Sequence, residues 1–437
     1  MLTSLLVVVA ATGGSESSDL AESLSAQRGG TIAASVERFE TGAREMVTLR
    51  PWSVLTSGAS VEVHGRDGVR PARLSGLRQW RGEIAGGWVL LTSTERGARG
   101  LTLRHGVVRP LEIMGERLRE GLRAVGQDIR VPCSGMAAPE APRESHDRAR
   151  SAHTACNTLS IAFETDWEFT NDLFAGDADD AAAYVVELAA AVSLIQEAEL
   201  GLPIEVTYVR TWSDASDPYD PTEPVDDMLD QFRDEWEANE PESDRHVGHL
   251  LSGSSAPAST GLAWRGSACS SWGYAYSSDL DGFFVDPPQD HSWSTWDVLI
   301  VAHETGHTIG ARHTHEMAPP IDGCGSNPQD CTNAWGGTIM SYCHSCAPNW
   351  LTNTVLDFHP RVQADIESFL GSINASTCDL TVPPSTDVNG DGAVDAVDLG
   401  FVLTQFGVCG GCGCSADVDG SAGVDVSDLL RVLEEWG

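Results

Sequence analysis

The stretch VLIVAHETGHTIGARHTH, residues 298–315, holds four histidines and one glutamate. His303 and His307 are four residues apart, so a helix places both imidazoles on one face. A helix ends readily at Gly310, because glycine adopts a positive φ without a Cβ penalty. The chain can then turn and bring His313 back to the same point. The spacing therefore predicts a three-histidine metal site at the end of a helix.

This arrangement also predicts a chemistry. Three neutral imidazoles suit one Zn²⁺ ion and leave a fourth position for water. Glu304 would be the general base that takes the proton of this water as it attacks a carbonyl carbon. His315 could replace His313 only if the turn were longer, so Gly310 favours His313. We expect His315 and His344 to lie beside the ligands or to face solvent.

The extended motif H-E-x-x-H-x-x-G-x-x-H resembles that of the metzincin zinc metalloproteases. In GGTIMSYC, residues 336–343, Met340 resembles the methionine of the family's Met-turn, which packs beneath the imidazoles. The resemblance implies that Tyr342 approaches the zinc and stabilises the tetrahedral intermediate, as in astacin-like and serralysin-like members. The alternative for Tyr342 is a buried structural role.

Three further stretches resemble the bacterial reprolysin-like (adamalysin-type) group: ETDWEFTNDLF (164–174), GLAWRGSAC (261–269) and FHPRV (358–362). The resemblance implies a zinc metalloendopeptidase domain at 157–378, with a mixed five-stranded sheet and a zinc helix. It also implies that GLAWRGSAC is an edge strand that pairs with an extended peptide substrate. Thr314 departs from the family, because animal reprolysins usually have Asp after the third histidine.

Charge is unevenly distributed along the 437 residues, whose net charge is −37. Residues 1–150 contain 20 Arg and 17 acidic residues, whereas the remaining residues contain 7 Arg and 47 acidic residues. A surface this negative excludes nucleic acid as a partner. This change in charge along the chain predicts separate units that attract each other. Eleven cysteines indicate an oxidising compartment with disulfides.

The first third resembles a leader and a propeptide. Residues 1–11 are a candidate signal peptide without a basic start; a mis-assigned start or a short buried strand are the alternatives. Residues 28–133 predict a β-rich propeptide-like domain, and 134–156 a linker with a processing site at Arg148-Ala149-Arg150. Cys133 would hold the zinc as a thiolate and keep the enzyme latent, or it would pair with Cys156. We expect a secreted or surface-tethered protein without a membrane span.

The C-terminal region, residues 387–437, follows a linker at 379–386 and contains an acidic repeat. Both copies have the oxygen spacing of an EF-hand calcium loop, although Ala422 replaces the Gly392 of the first copy. Each loop precedes one helix, which resembles a type I dockerin and implies up to two Ca²⁺ and a cohesin-type partner. A calcium-stabilised cap without a partner is the alternative. The predicted ligands are Asp387, Asn389, Asp391, Ala393, Asp395 and Asp398 in loop 1, and Asp417, Asp419, Ser421, Gly423, Asp425 and Asp428 in loop 2.

These features predict a multidomain α+β protein that hydrolyses peptide bonds outside the cell. A rival hypothesis is a catalytically silent metzincin-fold scaffold or adhesion component, anchored through the dockerin-like module. The presence of Glu304 beside all three candidate ligands favours the enzyme. A third hypothesis is a peptidase that retains its first domain.

Overall fold

The computed structural model describes the chain in segments between Ile32 and Trp436. The described residues are 32–38, 41–74, 76–85, 87–94, 97–104, 107–114, 117–120, 158–239, 245–254, 260–284, 295–373, 380, 386, 388, 394–404, 406–408, 416, 418 and 423–436.

Sixteen strands and six α-helices lie within these segments. The strands are β1 (Ile32–Glu37), β2 (Arg44–Trp52), β3 (Leu55–His64), β4 (Arg70–Pro71), β5 (Arg78–Ile84), β6 (Gly87–Thr94), β7 (Gly97–Arg104), β8 (Val107–Met114), β9 (Arg117–Glu120), β10 (Leu159–Thr165), β11 (Ile204–Trp212), β12 (Val247–Leu251), β13 (Gly261–Ala263), β14 (Tyr274–Ser277), β15 (Gly407–Val408) and β16 (Gly423–Val424). The helices are α1 (Ala178–Leu200), α2 (Val225–Asn239), α3 (Trp296–Thr308), α4 (Pro360–Leu370), α5 (Ala396–Thr404) and α6 (Val426–Glu434).

Seven of the first nine strands close a barrel in the order β1-β2-β5-β6-β7-β8-β9. Buried side chains alternate with exposed or partly buried ones along β1, as expected for a strand with one buried face. The buried side chains, among them Val36, Leu49, Leu91 and Leu118, fill the barrel. The β-rich character predicted for this region is thus present in its described residues.

The central sheet has seven strands in the order β13-β14-β12-β10-β11-β3-β4. Strands β10, β11, β12 and β14 pair in parallel, and β13 is antiparallel to β14. These five strands are the mixed sheet that the sequence predicts. The predicted strand number is nevertheless too small, because β3 and β4 come from the N-terminal region and extend the sheet beyond β11.

Two helices position the site against this sheet. Asp177 caps the N-terminal end of helix α1, because its carboxylate accepts the N–H groups of Asp179 and Asp180 at 3.1 Å. In the first turn of α3, the buried Asp297 accepts a hydrogen bond of 2.6 Å from the Tyr184 hydroxyl of α1. A charge-assisted hydrogen bond between buried groups fixes the two helices relative to each other.

The strand predicted at 261–269 is shorter than expected, because it ends at Ala263. The following residues instead cap the C-terminal end of α3. Gly266, at φ 64°, donates its N–H to the His307 carbonyl at 2.9 Å, and Ser267 donates to Thr308 at 2.9 Å. These bonds satisfy carbonyls that a helix end leaves without intrahelical partners.

A small C-terminal unit contains α5, α6 and the antiparallel pair β15–β16. Its core consists of buried valines, including Val402 and Val432.

Among the described helices of the whole chain, none is long and apolar enough to cross a membrane.

Candidate active site

Helix α3 carries the motif, and the predicted ligands converge at its end. His303 and His307 lie one turn apart, with ring centroids separated by 4.8 Å. Gly310 has a φ of 101°, and the turn that follows brings the His313 ring to 4.4 Å from that of His307. The His307 and His313 Nε2 atoms are 2.9 Å apart. The structure therefore brings together the three histidines that the spacing selected.

Backbone carbonyls orient two of these rings. His303 Nδ1–H donates to the Ile339 carbonyl at 2.7 Å, and His307 Nδ1–H donates to the Ala311 carbonyl at 2.9 Å. A proton on Nδ1 leaves the lone pair on Nε2, which points at the common centre. Sequence reasoning did not identify these two carbonyls, because backbone acceptors have no residue signature.

Burial keeps the three imidazoles neutral. It lowers the pKa of His303 to about 4. Burial, and then the neighbouring imidazoles, hold the pKa of His307 and His313 well below its usual range. Neutral imidazole is the form that binds a metal ion, so no proton has to be removed near neutral pH.

The donor set fits a zinc ion. One ligand atom from each of His303, His307 and His313 lies within 4.8 Å of the other two. In the described part of the chain, His303 Nε2 is buried and has no hydrogen-bond partner. A buried, unsatisfied acceptor costs free energy, and a metal ion at this point would satisfy it.

Glu304 lies against the edge strand of the sheet. Its side chain is buried, and a Cβ built on Gly261 would overlap its Oε1 atom. Gly261 is the first residue of β13, so the backbone of the edge strand passes directly beside the carboxylate. The absence of a side chain at Gly261 makes room for Glu304, a function that the sequence analysis did not assign to this glycine.

Met340 lies against helix α3. A Cβ on Gly306, in the middle of the motif, would lie 2.9 Å from Met340 Sδ, so helix and methionine are in close contact. Thr314 links the third ligand to this turn: its N–H donates to the Met340 carbonyl at 3.1 Å. The Thr314 hydroxyl donates to the same carbonyl at 3.4 Å. The atypical residue therefore anchors the segment after His313 to the Met-turn.

Tyr342 reaches the ligand cluster with its hydroxyl. The Oη atom lies 3.0 Å from His313 Nε2, and the side chain is buried. His315 stacks on His313 with ring centroids 5.2 Å apart and is half-buried. His344 does not face solvent. It is buried, and its ring centroid lies 5.5 Å from that of Trp296. Burial, and then the neighbouring His303, lower the pKa of His344 to about 3.

Glu316 is a further neighbour of the third ligand. Its Oε2 atom lies 3.4 Å from His313 Nδ1 and accepts the His313 backbone N–H at 3.3 Å. The short 3₁₀ turn Thr314–Glu316 creates this contact. In the sequence, the only feature that could have indicated Glu316 is its position three residues after His313.

Two disulfides hold the segment that contains Met340 and Tyr342. Cys324 pairs with Cys343, and Cys331 with Cys346, at sequence separations of 19 and 15. The sequence predicted disulfides but not their pairing. Three of these four cysteines are buried, so the two crosslinks form part of the core below the histidines.

The predicted calcium loops are described only in part. Asp398 Oδ2 accepts the Asp395 N–H at 2.8 Å, and Asp428 Oδ2 accepts the Asp425 N–H at 2.7 Å. The same local geometry thus occurs in both copies, and Gly423 lies in β16. The other predicted residues lie outside the described residues, as do the leader and the linker: Asp387, Asn389, Asp391, Ala393, Asp417, Asp419, Ser421, Cys133, 1–11 and 134–156.

One comparison with known proteins, a family model, matches this part of the chain. Residues 155–354 match the model of the family Reprolysin_5, described as metallo-peptidase family M12. The crystal structure of metalloproteinase-II from Bacteroides fragilis is 12% identical, with a TM-score of 0.38, and the match covers 80% of this chain and 94% of that one. No curated protein matches the chain. The segment that carries the three histidines is therefore similar to the M12 metallopeptidases.

Proposed function

We propose that this protein is a secreted zinc metalloendopeptidase that hydrolyses peptide bonds of protein substrates. One observation carries the proposal: three buried, neutral imidazoles converge beside a buried glutamate. The match of residues 155–354 to the M12 metallopeptidases supports it. The disulfides below the site support an oxidising, extracellular location.

His303, His307 and His313 would hold one Zn²⁺ ion. When bound, this ion would polarise the scissile carbonyl and make the attacking water more acidic. Glu304 takes the proton of that water and passes it to the leaving amine, because its carboxylate is adjacent to the first ligand on the same helix. The close fit of Gly261 against Glu304 Oε1 limits the positions that this carboxylate can occupy.

Tyr342 would donate a hydrogen bond to the oxyanion that develops on the substrate carbonyl. The proximity of its hydroxyl to His313 Nε2, 3.0 Å, supports this role. Strand β13 would pair with the substrate backbone, because it is the end strand of the central sheet and adjoins Glu304.

The test is digestion of casein and of a peptide library by the purified protein, with and without a chelator, beside Glu304→Gln. We expect metal-dependent cleavage by the wild type and a loss of at least about 10²-fold in Glu304→Gln, the lower range for general-base catalysis. The variant should retain zinc, because it keeps all three imidazoles. Equal inactivity of both proteins, after a cut in the segment 134–156, would favour the silent scaffold.

We further propose that residues 387–437 form a calcium-binding, dockerin-like module that tethers the enzyme to a cohesin-type partner. The matching Asp395–Asp398 and Asp425–Asp428 hydrogen bonds support a duplicated loop. The exposed apolar side chains of α6 and its end, including Leu430, Leu433 and Trp436, offer a surface for a partner.

Calorimetric titration with Ca²⁺ tests this module. The full chain should bind up to two ions, and Asp398→Asn with Asp428→Asn should abolish binding without changing zinc content. Unchanged calcium binding in this double variant would contradict the proposed loops.

A further inference from the structure

The N-terminal region, residues 32–120, and the M12-like part, the described residues from 158 to 354, share one sheet. Residues 60–64 of β3 pair in parallel with residues 208–212 of β11. The Val206 N–H donates to the Val54 carbonyl at 2.8 Å, and the Ser213 N–H donates to His64 at 2.8 Å. Backbone groups on this side of β11 thus find their partners in the N-terminal region, where an open edge would otherwise be exposed.

A common hydrophobic core forms the second part of the interface. Val54, Leu90 and Leu101 are at most 4% exposed and belong to the same cluster as the apolar residues of α1. Helix α1 is buried over most of its length, whereas a helix that covered one sheet alone would bury only a stripe. Outside the sheet, α1 packs partly against α3 and partly against β6 and β7 of the barrel.

Ion pairs form the third part, and they join basic residues of the N-terminal region to acidic residues of α1. Arg81 Nη2 lies 2.6 Å from Glu197 Oε1, and both side chains are largely buried. Arg70 forms two hydrogen bonds, of 2.7 and 3.1 Å, with the Asp179 carboxylate. Arginines of the N-terminal region thus bind acidic residues of α1. Such pairs fix orientation, and removal of one partner from a buried pair is costly.

We infer that the described N-terminal region, residues 32–120, stays bound to the M12-like part after the connecting chain is cut. The mature protein would then be a two-chain complex held by β3, by the shared core and by the arginine pairs. None of these contacts needs a covalent connection between residues 121 and 157. The binding partner of the α1–β11 face is therefore this chain's own N-terminal segment. The inference does not depend on zinc or on catalysis.

The experiment uses the full chain in the Glu304→Gln background, with a recognition sequence for a site-specific protease placed within residues 134–156. After complete cleavage, we expect both fragments to elute together from a sizing column in native buffer. They should separate only in denaturant. Two separate native peaks, each with one fragment, would overturn the inference, whether or not the wild type is a peptidase.

Charge reversal tests which contacts hold the complex. In the cut protein, Arg81→Glu should raise the dissociation rate roughly tenfold or more, because Glu197 loses its partner. Adding Glu197→Arg should restore most of the binding. Arg44→Glu is the matched control, because Arg44 pairs with a residue of the barrel itself: its Nη2 atom lies 2.7 Å from Glu37 Oε2.

Arg70→Ala provides a second route if Arg81→Glu does not fold. Arg70 is partly exposed, so its truncation should leave the fold intact and shorten the lifetime of the cut complex severalfold. Equal lifetimes for the wild type and for the variants at Arg81 and Arg70 would show that these pairs do not hold the chains together.

Discussion

At the scale of single residues, the site depends on side chains that the motif does not contain. Gly261 faces Glu304, and Glu316 faces His313. The motif spacing predicts the ligands because helical geometry is local. The neighbours of Glu304 and His313 follow from strand placement and from a 3₁₀ turn, which spacing alone does not predict.

Gly261→Ala should lower kcat/KM by about 10²-fold, because the new methyl group would displace the Glu304 carboxylate and small misplacements are costly in catalysis. Zinc content should stay at the wild-type level. Gly336→Ala is the control, since a Cβ there meets no atom within 4 Å. Peptide cleavage and metal analysis of both variants check this, and wild-type cleavage by Gly261→Ala would show that the contact has no effect.

Glu316→Ala should weaken zinc binding by roughly tenfold, the lower range for loss of a group that orients a metal ligand. Glu316→Gln should recover part of the affinity, because its amide oxygen can still accept the His313 N–H. The measurement is competition with a zinc-binding dye. Glu367→Ala, at an exposed position of α4, should match the wild type. Equal affinity in all these proteins would remove Glu316 from the site.

At the scale of elements, the Met-turn segment is fixed by crosslinks rather than by regular structure. Several 3₁₀ turns and the two disulfides surround Met340. A segment with few backbone ladders loses much conformational entropy on folding. The disulfides offset part of this loss by restricting the unfolded chain.

Replacing Cys331 and Cys346 together by Ala should lower the free energy of unfolding by about 3 kcal/mol, the loop-entropy value for a closed loop of this length. Urea unfolding measures the change. Tyr342 and His313 lie above this loop, so activity should fall at temperatures below the unfolding transition of the variant. A stability equal to that of the wild type would show that packing alone holds the turn.

The elements themselves were predicted unevenly. The Ala-rich run DADDAAAYVVELAAAVSLIQEAEL (177–200), with its acidic start, predicts α1. The short run GWVLLTST (87–94) between glycine-containing turns predicts β6, because both patterns are local. The position of β3 beside β11 was not predicted, since 146 residues separate Glu62 from Tyr208, whose hydroxyl donates to its carboxylate. Pairing over such a sequence distance depends on which faces of strands and helices become buried together. No local pattern of residue types indicates this.

At the scale of the whole molecule, buried titratable groups make stability depend on pH. Burial lowers the pKa of His249 to about 3, and it raises the pKa of Asp166 to about 7. The ordinary values are 6.5 and 3.8. Between about pH 3 and pH 6.5, unfolding adds a proton to His249. Between pH 3.8 and about pH 7, unfolding releases a proton from Asp166. The stability due to neutral His249 is present above pH 6.5 and is lost as the pH falls, whereas that due to neutral Asp166 is lost as the pH rises through 7.

His249→Asn should therefore reduce the slope of unfolding free energy against pH by about 1 kcal/mol per pH unit between about pH 5 and 6. Asp166→Asn should increase that slope by a similar amount, because asparagine mimics the neutral acid. Urea titrations of the metal-free proteins at both pH values measure the slopes. Changes of the same sign in the two variants would contradict the assigned protonation states.

The central sheet has one end assigned to the substrate, at β13, and its other end closed by β3 and β4. If the whole N-terminal region, residues 32–120, were removed together with β3 and β4, β11 would present the sequence IEVTYVRTW along an open edge. A β-branched, aromatic run of this kind is a template for pairing with identical strands of other molecules. The protein without residues 32–120 should therefore self-associate into light-scattering aggregates. Preparations that lose this N-terminal fragment would become turbid before their metal site fails.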